Sequence, residues 1–133
     1  MSKNIEKCLC GSEVPFQTCC EPLLTMASEA QTPEALMRSR YTAYALKNID
    51  YIRATTDPQL YQTMDWKANQ EWAEKSKFTK LEVLKSSDEG NKGTVEFKAY
   101  FSTADNENIN IHHELSKFRK HGGKWFFRDG KVL

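Results

Sequence analysis

The chain has 133 residues, of which 39% are apolar and 11% aromatic, and a formal net charge of +1. This suits one domain with a packed core plus a small appendage. It excludes a global electrostatic pull toward nucleic acid, an anionic membrane surface or acidic partners, and no run approaches the ~18 apolar residues of a membrane-crossing helix.

The first residues, Met1 to Lys7, contain no apolar stretch and do not read as a secretory signal. A cytoplasmic location follows as the expectation, and there thiols stay reduced and clustered cysteines more often hold metal than form disulfides. All four cysteines lie close to the N-terminus: Cys8, Cys10, Cys19 and Cys20. Structural zinc commonly takes four thiolates in a tetrahedron. Gly11-Ser12 after Cys10 supplies a turn, Phe16 is placed to cover one side, and Cys19-Cys20 supplies the second ligand pair. Disulfides within Cys8–Cys10 or Cys19–Cys20 would close small, strained rings; crossed disulfides need an oxidising compartment, and free thiols remain the third reading. With four protein ligands no coordination position stays open, so zinc here is expected to be structural rather than catalytic.

Further along the chain, residues Glu21 to Gln31 show no clear period and read as a connector. Thr32 or Gln31 is placed to cap a helix opening at Pro33-Glu34 and running to Lys47, with Leu36, Met37, Tyr41, Tyr44 and Ala45 as its apolar stripe. Asn48-Ile49-Asp50 reads as a break, Tyr51 to Thr55 as a short helix ending before Asp57-Pro58, and Asp65 to Lys75 as another carrying Trp66 and Trp72. From Phe78 the period changes. Leu81 to Leu84 reads as a strand, Asp88 to Gly93 as a turn, and Thr94 to Phe101 alternates cleanly. Asp105-Asn106 predicts a turn, Ile109 to Arg119 a third strand, His121-Gly122-Gly123 a turn, and Trp125 to Arg128 a fourth strand, with Asp129-Gly130 as a turn after it. Helices first and antiparallel strands second make an α+β protein.

Cys8-Leu9-Cys10-Gly11-Ser12, with Phe16 and Cys19-Cys20, resembles the SEC-C motif, a small zinc-binding module. Leu36-Met37-Arg38-Ser39-Arg40-Tyr41 with Ala43-Tyr44, Glu114-Leu115-Ser116-Lys117-Phe118 and Gly123-Lys124-Trp125-Phe126-Phe127-Arg128-Asp129-Gly130 resemble the YchJ-like family. The resemblance covers nearly the whole chain; family members often carry a second SEC-C motif, which these residues do not include. It implies a SEC-C-like segment and connector over residues 1–30, then a nuclear transport factor 2-like domain over residues 31–133. In such a cystatin-like or nuclear transport factor 2-like cone, a strongly curved antiparallel sheet wraps around helices and its open end often holds a pocket. The fold does not choose the function.

Alternation places Asn110, His112, Glu114, Ser116 and Phe118 on one strand face and Ile109, Ile111, His113, Leu115 and Lys117 on the other. A carboxylate among aromatics needs a partner, and Arg38 or Arg40 from the long helix is the expected one, either as a structural ion pair or as part of a ligand site. Arg38, Arg40, Tyr41, Tyr44, Glu114, Ser116, Phe118 and Trp125 are the candidate pocket residues. Trp66, Trp72, Phe97, Phe101 and Phe127 join them either as cavity wall or as plain core, the core being the favoured reading for the aromatic set. His112 and His113 are adjacent, so only one can enter a pocket, and histidines on strands are more often ordinary surface or packed residues. Lys117, Arg119, Lys120, His121 and Lys124 form a basic hairpin tip, which is common on solvated hairpins and lacks the interleaved aromatics of a nucleic-acid site.

The favoured function is therefore a non-catalytic, zinc-binding interaction or small-ligand-binding protein. The zinc knuckle would dock a protein partner and the cone would hold a small molecule. The alternative is a small-molecule enzyme of isomerase, dehydratase or hydrolase type with Glu114 as its acid/base. A purely structural or dimerising role through the outer sheet face is opposed by the charged Glu96, Lys98 and Lys117 on that face.

Overall fold

The computed structural model describes residues 7–103 and 106–133. Five helices, α1 (Glu21–Leu24), α2 (Pro33–Ala45), α3 (Ile49–Ala54), α4 (Pro58–Tyr61) and α5 (Trp66–Lys75), precede four strands, β1 (Ser76–Glu89), β2 (Lys92–Thr103), β3 (Asn106–His121) and β4 (Lys124–Val132). The strands form one antiparallel sheet in the order β1-β2-β3-β4. This is the α+β arrangement the sequence predicts.

The helices start where polar side chains can take the first free amides. Thr32 accepts from Ala35 N at 3.0 Å, Asn48 from Tyr51 N at 3.1 Å, Asp57 from Gln59 N at 2.9 Å and Asp65 from Ala68 N at 3.0 Å. Asn48 therefore opens α3 at Ile49 where a break was expected, and Asp57 opens α4, which the sequence reading did not include. The connector expected over Glu21 to Gln31 begins with α1, whose Leu23 and Leu24 pack on the core.

The sheet curves. Register irregularities fall between Phe78 and Lys80, Val83 and Lys85, Phe101 and Thr103, and Lys117 and Phe118; such bulges bend long strands and raise their twist. All four strands also run further than expected, β2 spanning Lys92–Thr103. β1 starts at Ser76, β3 at Asn106, and β4 continues to Val132. Asp129 and Gly130 are thus ladder residues opposite Lys117 and Ser116, not a turn, because cross-strand pairing overrides their turn preference. Of the turn expected at Asp105-Asn106, Asp105 lies outside the described residues, as do Met1 to Glu6.

Helix α2 lies in the concave face. Its Leu36, Tyr41 and Ala43 are buried with Ile52 of α3 and with Leu81, Val95, Phe97, Ala99, Phe118 and Trp125 of the sheet. Cys8, Cys10 and Cys20 belong to the same apolar cluster, so the N-terminal lobe shares the core of the cone. Among the described residues no helix is long and apolar enough to cross a membrane.

Candidate metal centre and cavity

The lobe is a small hairpin against α2 and β1. Lys7 bridges Pro15, Cys8 N donates to Val14 O at 2.8 Å, and Gly11 N donates to Cys8 O at 3.3 Å. Gly11 has φ +83°, and a Cβ there would stand 3.2 Å from the Leu81 carbonyl oxygen, so both conformation and space call for glycine. A 3-10 turn over Phe16–Thr18 then delivers Cys19 and Cys20 to the first pair.

The four sulfurs lie within 4.8 Å of one another. Cys10 Sγ is 3.6 Å from Cys19 Sγ, which is 4.0 Å from Cys20 Sγ. A zinc–sulfur bond of ~2.3 Å in a regular tetrahedron sets sulfur–sulfur edges of about 3.8 Å, so these spacings bracket the ideal edge. They are far from the ~2.05 Å of a disulfide, and all four cysteines are free. The protonation pattern points the same way. A hydrogen bond from Cys20, helped against burial by Ser12 and Cys19, holds the Cys10 thiol down to about 4. Burial pushes Cys19 up, and the bond to Cys10 together with burial pushes Cys20 up. The cluster favours one thiolate at the expense of its neighbours, and a bound dication is what allows all four to ionise.

Helix α2 grips this lobe through one face. Arg38 Nη1 donates to Cys10 O at 2.6 Å while its Nε donates to Glu34 at 3.0 Å. The fully buried Thr42 hydroxyl lies 3.4 Å from Cys20 Sγ and 3.8 Å from Cys8 Sγ. Ser12 Oγ sits 3.1 Å from Cys19 Sγ.

The opposite side of α2 faces a cavity of about 400 Å³. Its walls are mostly aromatic: Tyr41, Tyr44, Trp72, Phe78, Phe97, Phe101 and Phe127, with Met37, Met64 and Ala99. Trp72 sits at the centre of the ring cluster, 5.5 Å from Tyr44, 5.2 Å from Phe78 and 5.6 Å from Phe101, all edge-on. Its polar groups are Arg40, Asn69, His112, Glu114 and Ser116. Glu114 is held at both oxygens, by His112 Nε2 at 2.8 Å and by the Ser116 hydroxyl. Burial opposes its ionisation, but the His112 and Ser116 hydrogen bonds and the positive fields of His112 and Arg40 outweigh it and keep the carboxyl below its ordinary range. Arg40 is buried; its Nη1 donates to Thr55 Oγ1 at 2.8 Å and Ile52 O at 3.1 Å, and its guanidinium stacks over Phe127 at 4.7 Å. Burial pushes the Tyr41 phenol up to about 12.

Of the residues singled out in the sequence, Arg40, Tyr41, Tyr44, Glu114 and Ser116 meet around the cavity. Arg38 does not. Residues two apart on an α-helix point to opposite sides, and Arg38 goes to the cysteine lobe. The expected Glu114–arginine ion pair does not form: Glu114 is satisfied by its own strand and Arg40 by α3 and the turn after it. Phe118 and Trp125 pack in the core beyond the cavity wall, Phe118 edge-on to Phe127 at 6.1 Å. Trp66 lies outside it too, between Tyr61 at 5.1 Å and Arg53 at 5.5 Å. Of the two histidines, His112 lines the cavity and His113 pairs with Glu96 on the outer face at 2.7 Å. In the basic tip, Arg119 forks onto Asp57 at 2.7 and 3.1 Å and Lys124 meets Glu29 at 3.1 Å.

Sequence reasoning missed Thr42, Asn69 and Asp57. Thr42 had a usable signal, since it stands one turn after Arg38 on the same helix face. Asp57 precedes a proline, the pattern of a helix cap. Asn69 on the polar α5 had none.

A curved antiparallel sheet around helices, with a cysteine cluster docked at one side, defines an NTF2-like domain joined to a SEC-C-type lobe. Residues 32–130 match the family described as YchJ, middle NTF2-like domain. The chain is 45% identical to a UPF0225 protein of Geobacter sulfurreducens over 92% of its own length and 77% of that protein's. It is 39% identical to a UPF0225 protein of Actinobacillus succinogenes, covering 94% and 81%. The solution structure of a SEC-C motif containing protein from Rhodopseudomonas palustris superposes with TM-score 0.90 at 48% identity, covering 96% of this chain and 99% of that one. A crystal structure of a SEC-C motif containing protein from Psychrobacter arcticus gives 0.81 at 33% identity, covering 97% and 84%. The chain belongs to the YchJ-like (UPF0225) family.

Proposed function

We propose that this protein is a non-catalytic binding protein in which a structural zinc ion, held by Cys8, Cys10, Cys19 and Cys20, stiffens a docking lobe beside a ligand-holding cone. The observation that carries the metal reading is the sulfur quartet, all four within 4.8 Å of one another and with spacings of 3.6 and 4.0 Å. Zinc supplies charge and cross-linking there, offsetting four thiolates on a segment too short to fold alone. A protein partner at this lobe fits the exposure of Leu9 and Val14 on its rim. A cytoplasmic setting, where the thiols stay reduced, suits the same reading.

A binding role for the cone is favoured over catalysis by the state of Glu114. A general base or acid works best with a pKa near the working pH, whereas this carboxyl is held low with both oxygens occupied. The cavity is instead built as ligand sites are, mostly apolar with a few convergent polar groups.

Metal analysis of protein purified under reducing conditions from zinc-replete cells tests the first part. One zinc per chain, lost with Cys10→Ser, is expected. Full-length folded protein with well under half an equivalent of zinc would remove the lobe reading.

A further inference from the structure

We infer that the cavity takes an uncharged, flat and mostly apolar molecule of about two fused rings that presents one N–H or O–H donor to Glu114. This rests on the reading of the cone as a ligand site and names the chemistry of its occupant.

Size sets the body. An apolar cavity of about 150 Å³ holds one benzene ring, so 400 Å³ has room for a bicyclic body and a small polar edge. The walls set the shape, because Trp72, Phe78 and Phe101 present flat rings edge-on or tilted to one another, with Phe97 and Phe127 also on the wall, and a flat aromatic guest extends that packing.

Charge decides against ions. The cavity wall already carries one permanent cation, Arg40, and one carboxylate, Glu114. An anionic guest seated against Glu114 would meet like charge, a cationic one would add to Arg40 and to the positive field of His112, and either would give up its water on entering a mostly apolar cavity. Hydrogen bonding then sets the polar edge. An ionised carboxylate accepts at about four lone-pair positions; His112 and Ser116 fill one on each oxygen, leaving acceptor capacity and no donor. Asn69, also on the wall, gives Nδ2 to Tyr44 at 3.0 Å while its Oδ1 is buried with no partner. Glu114 and Asn69 thus each leave an acceptor on this wall, and an acceptor asks for a donor.

The test titrates the zinc-loaded full chain with indole, N-methylindole, indoleacetate and tryptamine, following backbone amide shifts by NMR. Indole is expected to bind saturably with shifts around Trp72, Phe101 and Glu114. N-methylindole, which lacks only the donor, should bind about tenfold or more weakly, and both charged analogues more weakly than indole. In Glu114→Leu the preference for indole over N-methylindole should vanish, whereas Glu114→Gln, whose amide oxygen still accepts, should keep part of it and guards against a folding defect in the first variant. Equal affinity for indole and N-methylindole in the unsubstituted protein, or tighter binding of either charged analogue, overturns the ligand class and leaves the ligand site standing. If no probe binds the folded, zinc-loaded protein, the ligand-site reading falls and this inference with it.

Discussion

Gly130 on β4 lies so close to the Glu114 carboxylate that a Cβ at position 130 would stand 2.5 Å from Oε2 and 2.8 Å from Cδ. The carboxylate is pinned by His112 and Ser116, so it cannot swing aside without losing those bonds. Gly130→Ala is expected to displace Glu114 and to destabilise the fold by about 1 kcal/mol. In a Glu114→Ala background the same change has no carboxylate to meet and should cost little. A denaturant-unfolding double-mutant cycle measures the difference, and additivity of the two changes would show that the carboxylate is free to move.

Thr42 couples α2 to the cysteine lobe. Its hydroxyl, 3.4 Å from Cys20 Sγ and 3.8 Å from Cys8 Sγ, has one hydrogen to give to a sulfur once the thiols are ionised by metal. Thr42→Val keeps the shape and removes that hydrogen. Losing such a partner of a ligand typically weakens metal binding about 10–100-fold. Competition with a chromogenic chelator should detect the change at near-normal thermal stability of the zinc-saturated form; an unaltered zinc affinity would mean the hydroxyl serves only the Arg38 carbonyl, 3.2 Å away.

How far these features could be read beforehand depends on the periodicity that carries them. Thiols near one another in sequence need only one turn to meet in space, so Cys8, Cys10, Cys19 and Cys20 were legible as a cluster. The period of two in β3 likewise fixes His112, Glu114 and Ser116 on one face whatever the rest of the fold does. The direction of Arg38 was not legible in the same way, because the helix carries apolar neighbours on two sides: one faces the cone and the other the cysteine lobe. Asp129-Gly130 misled for a different reason. Their local preference is for a turn, and the need for a residue without a Cβ beside Glu114 exists only once β3 and β4 are paired.

Asp57 ties the helical half to the end of the sheet. Its side chain is fully buried, caps α4, accepts both arms of Arg119 and lies 3.7 Å from Arg128, while its backbone N donates to Phe127 O at 2.9 Å. Asp57→Asn keeps the volume and the cap but leaves the Arg119 guanidinium facing a neutral amide. Removing one partner of a fully buried pair costs roughly 3–5 kcal/mol; Arg119 is 32% exposed and partly screened by water, so urea unfolding at neutral pH should show a smaller loss, about 1–2 kcal/mol. A loss under about 0.5 kcal/mol, the range of ordinary surface changes, would mean Arg119 finds water instead.

Acid sensitivity follows from the same carboxylates. Asp57 is opposed by burial, but Arg119, the Gln59 amide and Arg128 bring it below its ordinary value; Glu114 is likewise held low. A carboxyl whose folded-state pKa lies below its unfolded value contributes stability in full above the unfolded value and loses it as pH falls toward the folded one. With unfolded values near 3.9 for Asp and 4.3 for Glu, stability should be flat in these two groups above about pH 5 and fall steadily below about pH 4.5. In zinc-loaded protein, release of the metal as the cysteines protonate would act in the same direction, so the comparison that isolates the carboxylates is between the unsubstituted protein and Glu114→Gln or Asp57→Asn. Each variant should be less stable at neutral pH and lose less on acidification, so that the unfolding midpoints converge near pH 3. Parallel curves for variant and parent down to that pH would show that these carboxyls titrate alike in the folded and unfolded chains.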